Sequence, residues 1–412
     1  MSAAKPVSTR IYAGGALAFG GKPAIEDLKA AKYSIVIIWS VHVETNGDLK
    51  LNDTIFVSGG VYKEAEPMNL PSTVAQLRAA GIEVLFSVGS GGTRDFTNIA
   101  ALLKGGVPGP GNPLYDNFNA LKRAMTNAGG DINGIDLDNE DNVVASVMVN
   151  FGRMLRNIGY ARLTLCPYYE SQAWADTLTQ LNQNPGPGFV NAVHLQCYSG
   201  GRDNVNTGVA QSWQEIIAST GSAGKCLLIP GLATNQAEPG PWWHKSAPGK
   251  SIVETPDVAM FKGADWSKLL RTGNYASPQL AMQDAQRHGG ATFFFYCKSE
   301  LKLGPGKQFK AGDAAFFAGQ PWWGSAPQGV SFSLSGGCKN IYNNTGACPS
   351  DLEAQYRIWS KIEAPVQGGF IWLYDSVVDC LLSGCCGGTE KNPATTALAY
   401  RNAIANGLGA SD

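Results

Sequence analysis

Short runs of apolar and β-branched residues alternate along this chain with longer stretches whose apolar positions recur every three or four residues. The short runs read as strands over Ile11–Phe19, Tyr33–Val43, Glu83–Val88, Ile132–Asp138, Arg162–Pro167, Val190–Tyr198, Cys226–Gly231 and Gly369–Tyr374. Between them the spacing predicts helices, among them Thr73–Ala80, Tyr115–Ala128, Val143–Ile158 and Ser212–Ser219, with Thr395–Leu408 closing the chain. Strands alternating with helices are the pattern of parallel βα units. Eight such units satisfy a closed (β/α)8 barrel, the TIM barrel, which needs about 250 residues. A doubly wound open sheet is the alternative arrangement of the same elements.

With 412 residues the chain has a surplus over that barrel. It lies between the seventh and eighth strands, so residues 1–234 and 367–412 are expected to form the barrel and 235–366 an insertion. A further strand-like run, Ala291–Cys297, competes with Gly369–Tyr374 for the eighth place. The insertion resembles itself. Pro241-Trp242-Trp243-His244-Lys245-Ser246-Ala247-Pro248 has a counterpart in Pro321-Trp322-Trp323-Gly324-Ser325-Ala326-Pro327, and each copy later reaches a Gly-Gly pair and an aromatic strand. That order suggests a duplicated supersecondary unit with a period of roughly 80 residues; coincidence among aromatic-rich loops is the alternative.

Composition narrows the function classes. An apolar fraction of 44% with only 16% charged residues supports a large core and excludes a disordered chain. Basic and acidic residues nearly cancel, 32 against 33, and no basic stripe is visible, which speaks against nucleic acid as a partner. No apolar run reaches the roughly 20 residues of a membrane span. The opening Met1-Ser2-Ala3-Ala4-Lys5-Pro6 lacks the apolar stretch of a secretory leader, which leaves the compartment open. Nine cysteines cannot all pair internally. Cys166, Cys197, Cys226 and Cys297 sit in apolar strands and read as buried thiols. Cys338, Cys348, Cys380, Cys385 and Cys386 sit in late loops, where one or two disulfides are expected.

The chemistry concentrates in Asp131-Ile132-Asn133-Gly134-Ile135-Asp136-Leu137-Asp138-Asn139-Glu140. On a strand alternate residues share a face, so Asp136, Asp138 and Glu140 point one way while Ile135 and Leu137 point the other. Carboxylates spaced about 7 Å apart in a shielded site cannot all stay ionised. One of them is expected to keep a proton at neutral pH, and a carboxylic acid held protonated is what a glycosidic oxygen needs in order to leave. Glu140, at the strand's end, stands nearest a substrate. A calcium loop counted from Asp136 would need Gly and Glu where Asp141 and Val147 stand, so that reading fails. A solvated acidic turn would not alternate with Ile and Leu.

The run Asn133-Gly134-Ile135-Asp136-Leu137-Asp138-Asn139-Glu140 resembles the fourth-strand signature of glycoside hydrolase family 18, which contains chitinases and endo-β-N-acetylglucosaminidases; Asn133 stands where the family usually has its first Asp. Ser87-Val88-Gly89-Ser90-Gly91-Gly92 resembles the Ser-x-Gly-Gly end of its third strand, and Leu165-Cys166-Pro167 the end of the fifth in plant class III chitinases. Gln196-Cys197-Tyr198 is similar to the Gln-x-Tyr of the sixth strand, and Gly369-Phe370-Ile371-Trp372 to the Gly-x-x-Trp of the eighth. The resemblance implies Glu140 as general acid and later base, and Asp138 as the group that orients the substrate's N-acetyl and stabilises a cyclised intermediate. It further implies Asp136 behind Asp138 to take up charge or a proton, Tyr198 on the acetamido carbonyl, and Trp372 beneath the sugar. Gln196, Ser87 and Gly89 would join in substrate binding. Ser199 departs from the family's usual Asp or Asn after that Tyr, so no further ligand is placed there.

The implied substrate is chitin or another oligosaccharide containing N-acetylglucosamine, cleaved with retention, without cofactor or metal, by a monomer that the activity would favour as secreted. Trp242, Trp243, Trp322 and Trp323 are candidate platforms for sugar rings, with core packing as the alternative. His42, His194, His244 and His288 show no metal-ligand spacing and read as structural. No Gly-x-Ser-x-Gly elbow marks a serine nucleophile, and Gly89-Ser90-Gly91-Gly92 lacks the Lys of a phosphate loop. Two competing functions stand beside the chitinase: an endo-β-N-acetylglucosaminidase on glycoprotein N-glycans, and a barrel that binds carbohydrate without cleaving it.

Overall fold

The computed structural model describes residues 7–51, 54–63, 68–169, 172–234, 348–382, 386 and 388–410, together with the backbone of five short strands between 253 and 304. The chain divides into two units, Met1–Asn235 with Tyr342–Asp412, and Gln236–Ile341.

The first unit is a closed parallel barrel. Its strands are β1 (Ser8–Ala13), β2 (Ile35–Val43), β6 (Glu83–Val88), β7 (Gly134–Leu137), β8 (Arg162–Leu165), β9 (Val190–Gln196), β10 (Leu227–Ala233) and β16 (Gly368–Trp372). Each pairs in parallel with its neighbours, and β1 closes the ring by pairing with both β2 (Ile11 opposite Val36) and β16 (Ile11 opposite Ile371). Beyond the barrel, β2 continues into an antiparallel extension, β3 (Leu49–Leu51), β4 (Thr54–Ser58) and β5 (Val61–Tyr62).

All eight expected barrel strands are present, but the first is displaced. Instead of running to Phe19, β1 ends at Ala13 and a short helix, α1 (Gly15–Ala18), follows. The backbone N–H groups of Gly14 and Ala16 both donate to the carboxylate of Asp375, at 2.7 and 2.8 Å, and this turns the chain out of the sheet.

Around the barrel run α2 (Lys22–Ala31), α3 (Leu70–Ala79), α4 (Asp95–Leu103), α5 (Pro113–Asn127), α6 (Ala145–Ile158), α7 (Gln172–Gln183), α8 (Thr207–Ser219), α9 (Pro349–Trp359), α10 (Tyr374–Asp379) and α11 (Pro393–Gly407). Their starts follow local rules. Asn112 and Asn392 cap α5 and α11 by accepting from the N–H groups of Leu114 and Ala394, each with Pro as the first helical residue. The helix α6 buries Met148, Val149, Phe151, Gly152, Met154 and Leu155 and stops at Gly159 in the left-handed conformation.

Two layers of core result. The outer one lies between strands and helices; the inner one fills the barrel with Tyr12, Ile35, Ile37, Leu85, Cys166, Ala192, Tyr198, Ile229, Phe370 and Trp372. Gly231 makes room for it, since a Cβ there would lie 2.0 Å from the ring of Phe370. Cys348 and Cys386 form a disulfide, Cys380 is also disulfide-bonded, and Cys166, Cys197 and Cys226 are buried thiols. Cys338 and Cys385 lie outside the described residues. Among the described residues no helix is long and apolar enough to cross a membrane.

In the second unit β11 (Val253–Thr255) and β12 (Val258–Met260) form a hairpin, and β13 (Arg271–Asn274), β15 (Glu300–Gly304) and β14 (Phe293–Cys297) form an antiparallel sheet. The aromatic run at 293–297 therefore does not close the barrel; β16 does.

Candidate active site

The carboxylate row rises from the middle of the barrel to the carboxyl end of β7, the end at which barrel enzymes build their sites. Asp136 lies within the strand, Asp138 just past its end, and Glu140 two residues further on. Burial decreases along the row: Asp136 is 0% exposed, Asp138 2%, and Glu140 is partly exposed.

Each carboxyl has different partners. Asp136 accepts from Tyr12 Oη (2.9 Å), Ser87 Oγ (2.8 Å) and Thr164 Oγ1 (2.5 Å), and its Oδ1 lies 2.9 Å from His194 Nδ1. Burial alone would raise its pKa, but His194, Thr164 and Ser87 outweigh that and bring the carboxyl below the usual range. Asp138 accepts from Trp39 Nε1 at 3.1 Å and from Gln196 Nε2 at 2.9 Å. Burial, then the charges of Glu140 and Asp136, push it well above the ordinary carboxylate range.

Glu140 accepts from the same Gln196 amide nitrogen at 3.2 Å, so one side chain bridges the two carboxyls. Burial raises Glu140 too, offset in part by Gln196 and Asp138. Asp138 and Glu140, both raised, are the carboxyls of the row that hold a proton most readily.

The rest of the mouth is aromatic. Tyr198 stacks on Trp372, with ring centroids 5.4 Å apart and planes at 21°, and Trp39 meets Trp372 edge-on at 4.7 Å. The Tyr198 hydroxyl is buried and makes no hydrogen bond. A buried phenol without a partner costs on the order of 1–3 kcal/mol, which leaves it a donor open to a ligand. Gly89 has φ +102°, and a Cβ there would lie 2.2 Å from the backbone oxygen of Asp138. The β6–α4 loop can pass close under the carboxylate row because that position is glycine.

Of the residues singled out from the sequence, Asp136, Asp138, Glu140, Gln196, Tyr198 and Trp372 come together here. Ser87 is wholly buried and gives its hydroxyl to Asp136, and Gly89 shapes the backbone. Trp242, Trp243, Trp322 and Trp323 lie outside the described residues. Sequence reasoning missed Arg10, Tyr12, Trp39 and Thr164, and read His194 as structural without linking it to Asp136. Polar residues two apart within apolar strands, Arg10 with Tyr12 and His194 with Gln196, were the available signal. Among the described residues no group of three His, Cys, Asp or Glu is placed to hold a metal ion.

No family model matches the chain, and no curated protein matches it. Solved structures do. A chitinase from Bacteroides thetaiotaomicron is 12% identical, with a TM-score of 0.47 over 98% of this chain and 97% of that one. The catalytic domain of a hyperthermophilic chitinase from Pyrococcus furiosus is 9% identical, with a TM-score of 0.47 over 99% and 98%. The spore cortex-lytic enzyme SleL of Bacillus cereus is 10% identical, with a TM-score of 0.46 over 96% of this chain and 74% of that one.

Proposed function

We propose that this chain is a retaining glycoside hydrolase of the family 18 type, cleaving β-1,4 linkages between N-acetylglucosamine units by substrate-assisted catalysis. The observation that carries this reading is the gradient along β7 and the turn after it, from a sealed carboxylate with lowered pKa at Asp136 to raised carboxyls at Asp138 and the partly exposed Glu140.

Glu140 has the access and the raised pKa that a general acid needs, and would protonate the departing glycosidic oxygen. Most retaining glycosidases use a second carboxylate across the sugar as nucleophile. Asp138 is instead beside Glu140, just past the end of the same strand, and Gln196 donates to both. From there it would receive the N–H of the substrate's 2-acetamido group, whose oxygen attacks the anomeric carbon to give an oxazolinium ion. The unpartnered hydroxyl of Tyr198 would donate to that oxygen, and Trp372 would lie beneath the sugar. Glu140, now a carboxylate, would take a proton from the water that opens the ring from the same face.

The test is hydrolysis of chitooligosaccharides alongside a high-mannose glycopeptide. The β product should appear first by NMR, a thiazoline mimic of the intermediate should inhibit, and a substrate deacetylated at the cleaved sugar should resist. Cleavage of the glycopeptide alone would move the substrate to N-glycans. Binding without cleavage would make the barrel a carbohydrate-binding protein.

A further inference from the structure

Behind the carboxylate row lie two groups that the proposed chemistry does not use. Arg10 on β1 is 2% exposed, and His194 on β9 is 0% exposed. A guanidinium at such depth is costly unless its charge and its N–H groups are met. Arg10 Nε donates to Ser8 Oγ at 3.1 Å, and Nη1 lies 2.5 Å from Nε2 of His194. A guanidinium carries only donors. Nε2 must therefore be the bare, accepting nitrogen, because an imidazolium would set N–H against N–H at that distance. The ring is neutral, with its proton on Nδ1, 2.9 Å from Asp136 Oδ1.

Asp136 is thereby saturated. His194 and Thr164 donate to Oδ1, and Tyr12 and Ser87 donate to Oδ2. Two donors on each oxygen fill the carboxylate's lone pairs and leave no position for a proton. Resting on the reading of this row as glycosidase machinery, we propose that Arg10 and His194 form a buried relay that locks Asp136 as a permanent anion and confines the row's exchangeable proton to Asp138 and Glu140. This differs from the proton-accepting role that the sequence resemblance implies for Asp136. Arg10 and His194 are positioning residues, since they act on the proton donor only through Asp136.

The surroundings agree in sign. Burial and the neighbouring Arg10 hold His194 below its ordinary pKa despite Asp136, so the ring stays neutral. Burial lowers Arg10 to about 10, which leaves it a cation at neutral pH. The other titratable groups facing the relay are Tyr12 from β1, Glu83 and Arg162 at the starts of β6 and β8, Asp138 and Glu140 beyond β7, Cys166 after β8, Tyr198 after β9 and Cys226 before β10. From β2 and β16 the barrel interior receives Ile35, Ile37, Phe370 and Trp372.

The test is nitrogen NMR of the imidazoles in the full chain, with His194 assigned by the signal lost in His194→Asn. Nδ1 should be protonated and Nε2 bare, with neither changing between about pH 5 and pH 8, the window in which an ordinary His titrates. A ring that titrates there, or one protonated on Nε2, overturns the relay. The second readout is the pH dependence of kcat/KM. His194→Asn retains a side-chain N–H for Asp136 and should keep the wild-type basic limb. His194→Leu removes it, so Asp136 can take a proton, its negative charge no longer raises Asp138, the carboxyl beside Glu140, and the basic limb should move down by about one pH unit. Equal limbs for Leu and wild type contradict the relay's hold on the row. If the wild type cleaves no N-acetylglucosamine glycan while the NMR result stands, the proposed function falls and the locked anion remains.

Discussion

Asp136 within β7 and Glu140 in the turn after it stand four residues apart, in opposite surroundings. Asp136 is wholly buried, with two donors on each oxygen and a pKa below the ordinary range. Glu140 is partly exposed, accepts from Gln196, and has its pKa raised. One residue class thus yields a fixed anion at one end of the row and a proton donor at the other. The barrel produces the difference: a strand running from a packed interior to an open mouth carries each carboxyl through a different balance of desolvation and hydrogen bonding. The lower end is built for stability and the upper end for turnover, and substitutions should separate the two.

The largest stability effect should come from the sealed end. Asp136→Leu strands the donors of Tyr12, Ser87, Thr164 and His194 and removes one of the negative charges, after that of Glu83, that favour the Arg10 cation. Each buried donor left unpaired costs about 1–3 kcal/mol, so a loss of several kcal/mol is expected, read as a lower urea midpoint. A loss under about 1 kcal/mol would erase the proposed contrast between the two ends.

Asp138→Asn should act the other way. Because Asp138 is raised in the fold, the stability it contributes is present at acid pH and lost as pH rises through its folded pKa. At neutral pH the wild type carries that burden and the amide does not. We expect a gain of about 1 kcal/mol, or a melting temperature roughly 2 °C higher, with hydrolysis nearly abolished and ligand binding kept. The gain should vanish in acid; a neutral-pH loss instead would assign Asp138 to the structural end.

Asp136 and His194 are both lowered in the fold, so the stability they bring is lost on acidification. For His194 the loss begins where an unfolded His takes up its proton, near pH about 6.5. A thermal-melt series should show that first decline in the wild type and a weaker one in His194→Asn.

No loss of stability is expected at Tyr198→Phe. Its buried hydroxyl has no partner in the fold, so removing it should leave stability unchanged or raise it by up to about 1–3 kcal/mol. If that hydroxyl meets the acetamido oxygen, kcat/KM should still fall about ten-fold or more, a hydrogen bond to a group gaining charge being worth roughly 1.5–3 kcal/mol. A large loss of stability would show a structural role instead.

The same division governs what could be read from the sequence. The eight strands and the shared face of Asp136, Asp138 and Glu140 follow from alternation over a few residues, a local rule that holds wherever the strand lies. The relay is not local. Arg10 and His194 are 184 positions apart, and only barrel closure brings β1 and β9 to face each other across the interior. The early end of β1 depends on Asp375, 361 residues from Gly14. Trp39 lies inside the apolar run of β2, where nothing in the sequence marks that its indole N–H serves Asp138. Local periodicity located the row; which carboxyl is anion and which is acid depends on distant partners.

The central claim, that Glu140 is the proton donor of a glycosidase acting on N-acetylglucosamine linkages, is tested most directly by turnover of a chitooligosaccharide by wild type and Glu140→Gln. The amide keeps the shape and hydrogen bonding of the site but has no acidic proton, and general acid–base contributions are about 10²–10⁴-fold. Active wild type with a folded Glu140→Gln variant slower by at least about a hundred-fold is the expected result. A folded variant retaining more than about a tenth of wild-type activity would contradict it, because the leaving oxygen would then be drawing its proton from elsewhere.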